Sequence, residues 1–219
     1  MNANLIQLFW EGTQETLYMV LLSMLISYLI GTPLGAILYV TDGNGICKNT
    51  VVNTVVGAVI NMIRSIPFLI LLVAILPFTR LVVGTTIGAK ATIVPLVAAA
   101  SPYVARMVES SLKEVDAGVI EAAQAMGSST LQIISKVILP EAKPSLLVGV
   151  TISFATILGY SAMAGFCGGG GLGAIAVNYG YYRYDNETML ITVVLLVLIV
   201  QFFQEIGSRL VKRIDKRIK

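Results

Sequence analysis

The chain has 219 residues, of which 56% are hydrophobic and only 12% are charged, and its mean hydropathy is +0.84. These charges are too few to cover a soluble globule of this size, so the composition predicts an all-α, polytopic membrane protein. Histidine is absent, which removes the usual general base, metal ligand and proton relay. Cys47 and Cys167 lie far apart in different kinds of segment, which favours free thiols over a disulfide or a metal site.

Five apolar stretches are long enough to cross a hydrocarbon core of roughly 30 Å as helices. The predicted spans are about residues 16–41, 51–77, 88–111, 144–165 and 186–208. We treat 1–219 as one transmembrane domain, with a polar turn at 41–49, which includes Asn44, and loops at 78–89 and at the glycine-rich residues 165–182. Gly31-Thr32-Pro33-Leu34-Gly35 in the first span favours a proline kink, with a Gly-xxx-Gly packing face as the alternative.

The second span contains a single charge, Arg64, in the run Asn61-Met62-Ile63-Arg64-Ser65-Ile66-Pro67-Phe68. An arginine inside a membrane is costly, which indicates a functional site or a buried partner. The alternative is that Arg64 extends to the headgroups while Pro67 kinks the helix.

One long amphipathic segment, residues 119–140, interrupts the apolar sequence. Helix formers fill 119–126, Gly127 suits the left-handed conformation that ends a helix, and residues 128–130 are Ser-Ser-Thr, which cap a second helix. An apolar strip recurs at i, i+3, i+4 and i+7, namely Val119, Ala122, Ala123 and Met126. We expect Glu121 to lie near the helix start and to hold the loop to a neighbouring backbone or basic group. The alternative is an amphipathic helix on the membrane surface or packed on its own protein.

The distribution of lysine and arginine predicts the orientation. With five spans and a cytoplasmic C-terminus, eleven of these residues lie inside, namely Lys48, Arg106, Lys113, Lys136, Lys143, Arg209, Lys212, Arg213, Lys216, Arg217 and Lys219. Three lie outside, namely Arg80, Lys90 and Arg183. The N-terminus is then periplasmic and the 119–140 segment is cytoplasmic. The basic tail is interpreted as a topology anchor and not as a nucleic-acid site.

Several energy sources for transport are excluded by the residues. Gly-x-x-x-x-Gly-Lys-Ser/Thr, the loop that holds ATP phosphates, does not occur. Buried acids are not expected in the spans, which argues against proton or sodium coupling. Gly168-x-Gly170-x-x-Gly173 matches a dinucleotide-binding pattern formally, but no strand precedes it. The chain is therefore interpreted as half of a larger assembly, without an ATPase site of its own.

Glu121-Ala122-Ala123, then Gly127, then Ile138-Leu139-Pro140 fall at the spacing of the EAA loop, so the chain resembles the membrane subunits of ABC importers. Arg-Ser-Ile-Pro-Phe at 64–68 and Gly-Tyr-Ser-Ala-Met at 159–163, with the glycines that follow, resemble the methionine-type ABC permeases. Phe166 and Cys167 depart from the smaller residues of that pattern. The resemblance implies a type I ABC importer fold with five transmembrane helices and a cytoplasmic coupling loop at about 117–140.

For function, the resemblance implies a permease that moves methionine across the bacterial inner membrane. Its implied partners are a second copy of the chain, two cytoplasmic ATP-binding subunits and an external substrate-binding lipoprotein. The chain itself is expected to be no enzyme and to bind no cofactor or metal, because the partner subunit uses the ATP. The alternatives are a permease for another small amino acid or thioether compound, a passive channel subunit and an intramembrane enzyme.

The resemblance also assigns two sets of site residues. It assigns ATPase coupling to Glu121, Ala122, Ala123, Met126, Gly127, Leu139 and Pro140. The translocation path falls to Asn61, Arg64, Ser65, Tyr160, Ser161 and Met163, because polar groups in spans avoid lipid and Met163 suits a soft constriction.

Overall fold

The computed structural model describes residues 3–43 and 45–214. The sequence interpretations that concern Asn44, Lys216, Arg217 and Lys219 therefore lie outside the described residues. Ten α-helices occur within the described ranges: α1 (Ala3–Thr41), α2 (Thr50–Arg64), α3 (Phe68–Ala74), α4 (Leu76–Val83), α5 (Ala89–Lys113), α6 (Ala117–Ala125), α7 (Thr130–Gln132), α8 (Leu139–Ala164), α9 (Gly171–Ile175) and α10 (Asn186–Ile214). Two π-helices, Ile133–Ile138 and Ala176–Tyr181, and a 3₁₀-helix, Gly165–Cys167, connect some of them.

Four helices are long and apolar enough to cross a membrane, namely Leu5–Thr41, Ala89–Lys113, Thr130–Cys167 and Asn186–Ile214. A fifth candidate is the pair α2 and α3, which passes the same test together but is bent by 98°. The described helices thus agree with an all-α membrane protein. The first and fourth helices begin earlier than expected, at Ala3 and Leu139 instead of 16 and 144, and the last continues to Ile214.

The predicted second span, 51–77, is wrong as a single helix. It breaks between Arg64 and Phe68, and again at Ile75. Proline has no N–H to donate and disfavours helical backbone in the residue before it, so Pro67 ends α2 and starts α3. The predicted loop at 78–89 is also shorter, because α4 extends to Val83 and leaves only residues 84–88.

The glycine-rich residues 165–182 form short helices instead of the expected loop. Glycine permits a close backbone approach here, since a Cβ on Gly165 would lie 2.3 Å from the Gly173 carbonyl carbon. Two side chains of α1 accept hydrogen bonds from the start of α9: Glu15 Oε2 from the Gly171 N–H at 2.7 Å and Thr16 Oγ1 from the Leu172 N–H at 2.8 Å. The glycines therefore serve packing and capping within the protein.

The chain divides into two compact units, and several helices contribute to both. The first comprises Met1–Ser27, Ile66–Ala100 and Ser153–Glu205. Its core contains Met19, Val20, Phe68, Leu72, Leu96, Ala100, Phe154, Ile157, Leu158 and Ala164. The second comprises Tyr28–Ser65, Ser101–Ile152 and Ile206–Lys219. Its larger core contains Val104, Val108, Leu112, Val115, Ala123, Ile133, Ile138 and Ala142.

In the second unit, α1 and α5 pack through the glycines of the Gly-xxx-Gly pair. A Cβ on Gly31 would lie 2.8 Å from the Ser101 carbonyl oxygen, and one on Gly35 would lie 2.5 Å from the Ala105 carbonyl oxygen. No side chain fits at either position without moving a helix backbone. The preference for a kink as the reason for these glycines was wrong, because small residues allow two membrane helices to approach closely.

Gly35→Ala is expected to destabilise the purified protein by about 1–3 kcal/mol, because the added methyl group overpacks the α1–α5 contact. The matched control is Gly159→Ala in α8, since a Cβ there meets no atom within 4 Å in the described chain. Thermal unfolding in detergent measures the difference. Equal midpoints for the two variants would contradict the close packing of α1 on α5.

Candidate functional site

The amphipathic segment forms a helix, a turn and a second helix. The side chain of Asp116 caps α6 by accepting a hydrogen bond from the Gly118 N–H at 2.7 Å. After α6, the Gly127 N–H donates to Gln124 O at 2.9 Å and the Ser128 N–H to Ala123 O at 3.1 Å. Together with φ +75° at Gly127, these bonds form a Schellman C-cap. The prediction of left-handed backbone at Gly127 is confirmed.

The second helix begins at Thr130 with a capping box. The Gln132 N–H donates to Ser129 Oγ, and the Ser129 N–H donates to Gln132 Oε1 at 2.8 Å. The chain then continues without a turn through the π-helix Ile133–Ile138 into α8. Proline lacks the N–H that closes an α-helical turn, which is consistent with the wider turns just before Pro140. Leu139 and Pro140 therefore lie in a continuous helix that joins the loop to the fourth span.

The apolar strip predicted for α6 is divided between two surfaces. Ala123 is buried and Ile120 is half-buried, and both pack in the larger core of the second unit. The other members are exposed: Val119 by 44%, Met126 by 78% and also Ala122. Leu131, which the sequence interpretation missed, is exposed by 78% on the second helix. We call these four exposed apolar residues, Val119, Ala122, Met126 and Leu131, the coupling face.

The expected role of Glu121 is not supported by its position. Glu121 is the fifth residue of α6, away from the first turn, which Asp116 caps. Its side chain is exposed and forms no ion pair with any described residue. Among the described residues Glu121 therefore contacts no basic group, and its role in ATPase coupling stays a prediction.

Three path candidates lie together on the last turn of α2 in the second unit. Asn61, Arg64 and Ser65 are all exposed. Asn61 Oδ1 accepts a hydrogen bond from Arg106 Nη2 at 3.0 Å, and the Ser65 hydroxyl donates to Asn61 O at 2.8 Å. Arg64 forms no ion pair among the described residues.

The other three path candidates lie in α8, in the first unit. Tyr160 stacks on Phe68 with ring centroids 4.7 Å apart. Ser161 is only 2% exposed and its hydroxyl donates to Leu158 O at 2.8 Å, so it belongs to the core in this structure. Met163 is 40% exposed. The assignment of a translocation path to the two sets stays a prediction.

A row of paired charged groups that the sequence interpretation missed lies along one face of α5. Glu109 Oε2 lies 2.7 Å from Arg106 Nη1, Glu109 Oε1 lies 2.9 Å from Lys113 Nζ, and Lys113 Nζ lies 2.9 Å from Asp42 Oδ2. Glu109 is only 7% exposed, so the expectation that the spans contain no buried acid was wrong. The signal was present as alternating charges at i, i+3 and i+7, which share one helix face.

Asp42, which follows α1, is the half-buried last member of this row of charges. The hydrogen bond with Lys113, followed by one from the Gly43 N–H, lowers the pKa of Asp42 below its usual range. Nearby, the Asn53 amide donates to Leu38 O at 2.7 Å and to Thr41 Oγ1 at 3.2 Å, and Cys47 Sγ lies 3.5 Å from Thr130 Oγ1. The turn after α1 therefore contacts both α5 and the second helix of the amphipathic segment.

The charged groups of the described residues do not form a metal site. Within the described ranges, no group of three acidic or cysteine side chains is arranged to hold a metal ion. A groove of about 290 Å³ in the second unit is lined by Glu114, Val115, Glu141, Ala142, Pro144, Ser145, Val148 and Val211. This volume lies just below the usual range of small-molecule sites, which is about 300–1,000 Å³. The groove alone therefore does not indicate a substrate site.

Comparisons with known proteins agree along almost the whole chain. Residues 31–219 match the family model described as "Binding-protein-dependent transport system inner membrane component". A protein of Vibrio cholerae serotype O1 named "Probable D-methionine transport system permease protein MetI" is 52% identical over 96% of this chain and 93% of its own length. The "Methionine import system permease protein MetP" of Bacillus subtilis is 44% identical over 99% of this chain and 97% of its own.

Solved structures share the fold. A chain of the MetNI methionine ABC transporter, in an inward-facing conformation, has a TM-score of 0.97 and 46% sequence identity, covering 99% of this chain and all of its own. An amino acid ABC transporter with histidines has a TM-score of 0.79 at 23% identity, which supports the fold alone.

Gly127→Val is expected to open the Schellman cap. A Cβ at this position meets no atom within 4 Å, so the cost is backbone strain of about 1–2 kcal/mol instead of a clash. Amide hydrogen exchange at residues 127 and 128 should therefore accelerate about 5–30-fold. Gly127→Asn is the matched control, because asparagine tolerates left-handed backbone, and it should change exchange much less. Equal protection in the two variants would contradict the role of left-handed backbone.

Proposed function

Because the chain belongs to the family of inner membrane components of binding-protein-dependent transport systems, we propose that it is the permease of an ATP-driven methionine importer. The observation that carries this proposal is its similarity to the MetNI methionine ABC transporter, at 46% identity over 99% of this chain. The relatives named as methionine permeases support the same substrate. Substrate choice and ATP hydrolysis are then divided among several subunits.

The energy for transport comes from separate ATP-binding subunits on the cytoplasmic side. The chain lacks a Gly-x-x-x-x-Gly-Lys-Ser/Thr loop, so it has no ATPase site and binds no cofactor of its own. Its coupling face supports a docking site for the ATP-binding subunit, since an exposed apolar patch beside a packed helix is typical of protein interfaces. The buried Ala123 fixes α6 to the second core, so a force on this helix is transmitted to α5 and α8.

A second copy of the chain completes the membrane part. Arg64 is exposed and has no counter-charge in the described protein, and a charge facing lipid is costly. A polar path between two copies removes that cost, which supports a homodimer with Asn61, Arg64 and Ser65 at the path. Met163, exposed by 40%, remains our candidate for a soft constriction, with Tyr160 and Ser161 beside it in the sequence. An external lipoprotein delivers the substrate.

The chain lies in the bacterial inner membrane with its N-terminus periplasmic and its C-terminus cytoplasmic. The contact between Asp42 and Lys113 supports this topology, because it puts the end of α5 on the side where α2 begins. The chain between Thr50 and Ala89 must then cross the membrane once, so the bent pair α2–α3 counts as one span and the total is five. The positive-inside rule assigns the coupling loop to the cytoplasm.

Vesicles that contain this chain, its co-purifying ATP-binding subunit and the external binding protein are expected to accumulate labelled methionine when ATP is supplied. Met126→Asp should lower association with the ATP-binding subunit at least fivefold, because a buried apolar anchor typically contributes more than about 1 kcal/mol to an interface. Co-purification yields and uptake rates measure the two effects.

Gln124→Asp is the matched control, since it adds the same charge to an exposed residue of α6 outside the coupling face. Normal association in Met126→Asp would exclude this face as the docking surface. ATP-driven uptake of another small amino acid or a thioether compound, with no methionine uptake, would replace the proposed substrate.

Cys47 tests the topology. It is exposed and lies in the turn between α1 and α2, so a membrane-impermeant thiol reagent should fail to label it in intact cells and should label it after permeabilisation. The matched control is Thr85→Cys, an exposed residue of the 84–88 loop, which should be labelled from outside. Both are measured in a Cys167→Ser background. Efficient labelling of Cys47 in intact cells would overturn the five-span topology.

A further inference from the structure

Glu109 is a buried carboxylate in a helix that crosses the membrane. It is 7% exposed, and each of its two oxygens faces a different cation, Arg106 Nη1 at 2.7 Å and Lys113 Nζ at 2.9 Å. A lone charge at such a position would be strongly unfavourable, and removing one partner of a buried pair is costly because the other charge is left behind. Glu109 therefore keeps both cations in place on one face of α5.

The two cations extend from Glu109 to different helices. Arg106 Nη2 donates to Asn61 Oδ1 at 3.0 Å and to Gly57 O at 3.3 Å, both in α2. Lys113 Nζ pairs with Asp42 after α1 at 2.9 Å. The charges of Asp42, Arg106, Glu109 and Lys113 sum to zero, so this group of ion pairs needs no outside counter-ion. It connects the end of α1, the end of α2 and the end of α5.

The same chain of contacts leads directly to the coupling loop. Lys113 is the last residue of α5, and α6 begins four positions later at Ala117. Leu112 and Val115 share a core with Ala123 of α6, so the end of α5 and the coupling helix are packed together. Movement of α6 would therefore reach the end of α5, and two contacts connect α5 to other elements: Lys113 with Asp42, and Arg106 with Asn61.

A gain in the stability of the fold does not by itself explain these ion pairs. Replacing a buried ion pair by apolar residues of similar volume is often neutral or stabilising, and in some proteins buried polar groups serve instead to fix one register between elements. Apolar packing already joins α2 to α5 here, since Ile60 and Ala105 share a core with Leu38. What the charges add is a fixed orientation of Asn61 and a fixed register of α5 against α2.

We propose that Glu109 is a positioning residue for transport, which links the coupling loop to Asn61 at the end of α2 through Arg106 and Lys113. This inference rests on the proposed function, because it assumes that movement of the coupling loop drives the path residues. Glu109 does not contact the substrate. It holds the two cations that transmit the movement.

Glu109→Gln in the complete transporter is expected to lower methionine uptake per ATP hydrolysed by about fivefold or more, a coupling change of ordinary size. Glutamine has nearly the same shape but leaves Arg106 and Lys113 without their shared counter-charge. Uptake and hydrolysis are measured in the same vesicles, with co-purification of the ATP-binding subunit as a check on assembly. Glu114→Gln is the matched control, because Glu114 is exposed and takes no part in the chain of contacts, and it should keep the wild-type ratio.

A wild-type ratio of uptake to hydrolysis in Glu109→Gln would overturn the inference. If this variant fails to insert, Arg106→Lys replaces it, because lysine keeps the charge opposite Glu109 but loses the second nitrogen that reaches Asn61 and Gly57. The same loss of coupling is expected, and a wild-type ratio in Arg106→Lys would overturn the inference. No ATP-driven uptake by wild-type vesicles would overturn the proposed function, and this inference with it.

Discussion

The close approach of α1 and α5 is the contact on which the second unit depends. At Gly31 and Gly35 the backbone of α1 lies where any larger residue would meet Val104, Ala105 or Val108 of α5. One turn further, Leu38 packs in a common core with Ala105, and after the helix end Asp42 pairs with Lys113. In lipid the hydrophobic effect does not bring helices together, so close packing and polar contacts of this kind must hold them. These contacts fix the turn after α1 beside Lys113, where the coupling loop follows α5.

The apolar residues of the coupling loop fall into two groups: some pack in the core, and others remain exposed. Ala123 and Ile120 join the core with Ile133 and Ile138, which makes α6 part of the rigid unit. Met126 and Leu131 remain exposed on the other side. A helix with a single narrow apolar strip could use it either for packing in the core or for an exposed apolar surface, but not for both. Here the small Ala123 allows close packing while Met126 stays exposed. The Schellman cap at Gly127 and the capping box at Ser129 add local hydrogen bonds that help to set the angle between the two helices.

Charges in the apolar part of the protein fall into two kinds. Glu109 is compensated within one chain, by two cations whose remaining donors reach α2 and the turn after α1. Arg64 has no such compensation among the described residues and lies on the exposed end of α2. Because an uncompensated charge in lipid is costly, the two kinds of charge have different roles. The first belongs to the internal connection between helices. The second lies on the exposed surface of the described chain.

The class of the protein and its local motifs follow from the sequence alone. Long uncharged stretches leave the backbone no option in lipid except helix, and Gly127, Ser129 and Pro67 mark boundaries because their preferences act over a few residues. Which face of each helix is buried depends instead on contacts between distant segments. Nothing within α6 distinguishes Ala123, which is buried, from Ala122, which is exposed, since that depends on where the π-helix lies. Likewise Gly31 and Gly35 fit both a kink and a packing face until α5 is placed beside them. The spacing of Glu109 to Arg106 and Lys113 on one helix face is visible in the sequence, but the burial of Glu109 and the pairing of Lys113 with Asp42 arise only when α1 and α5 come together.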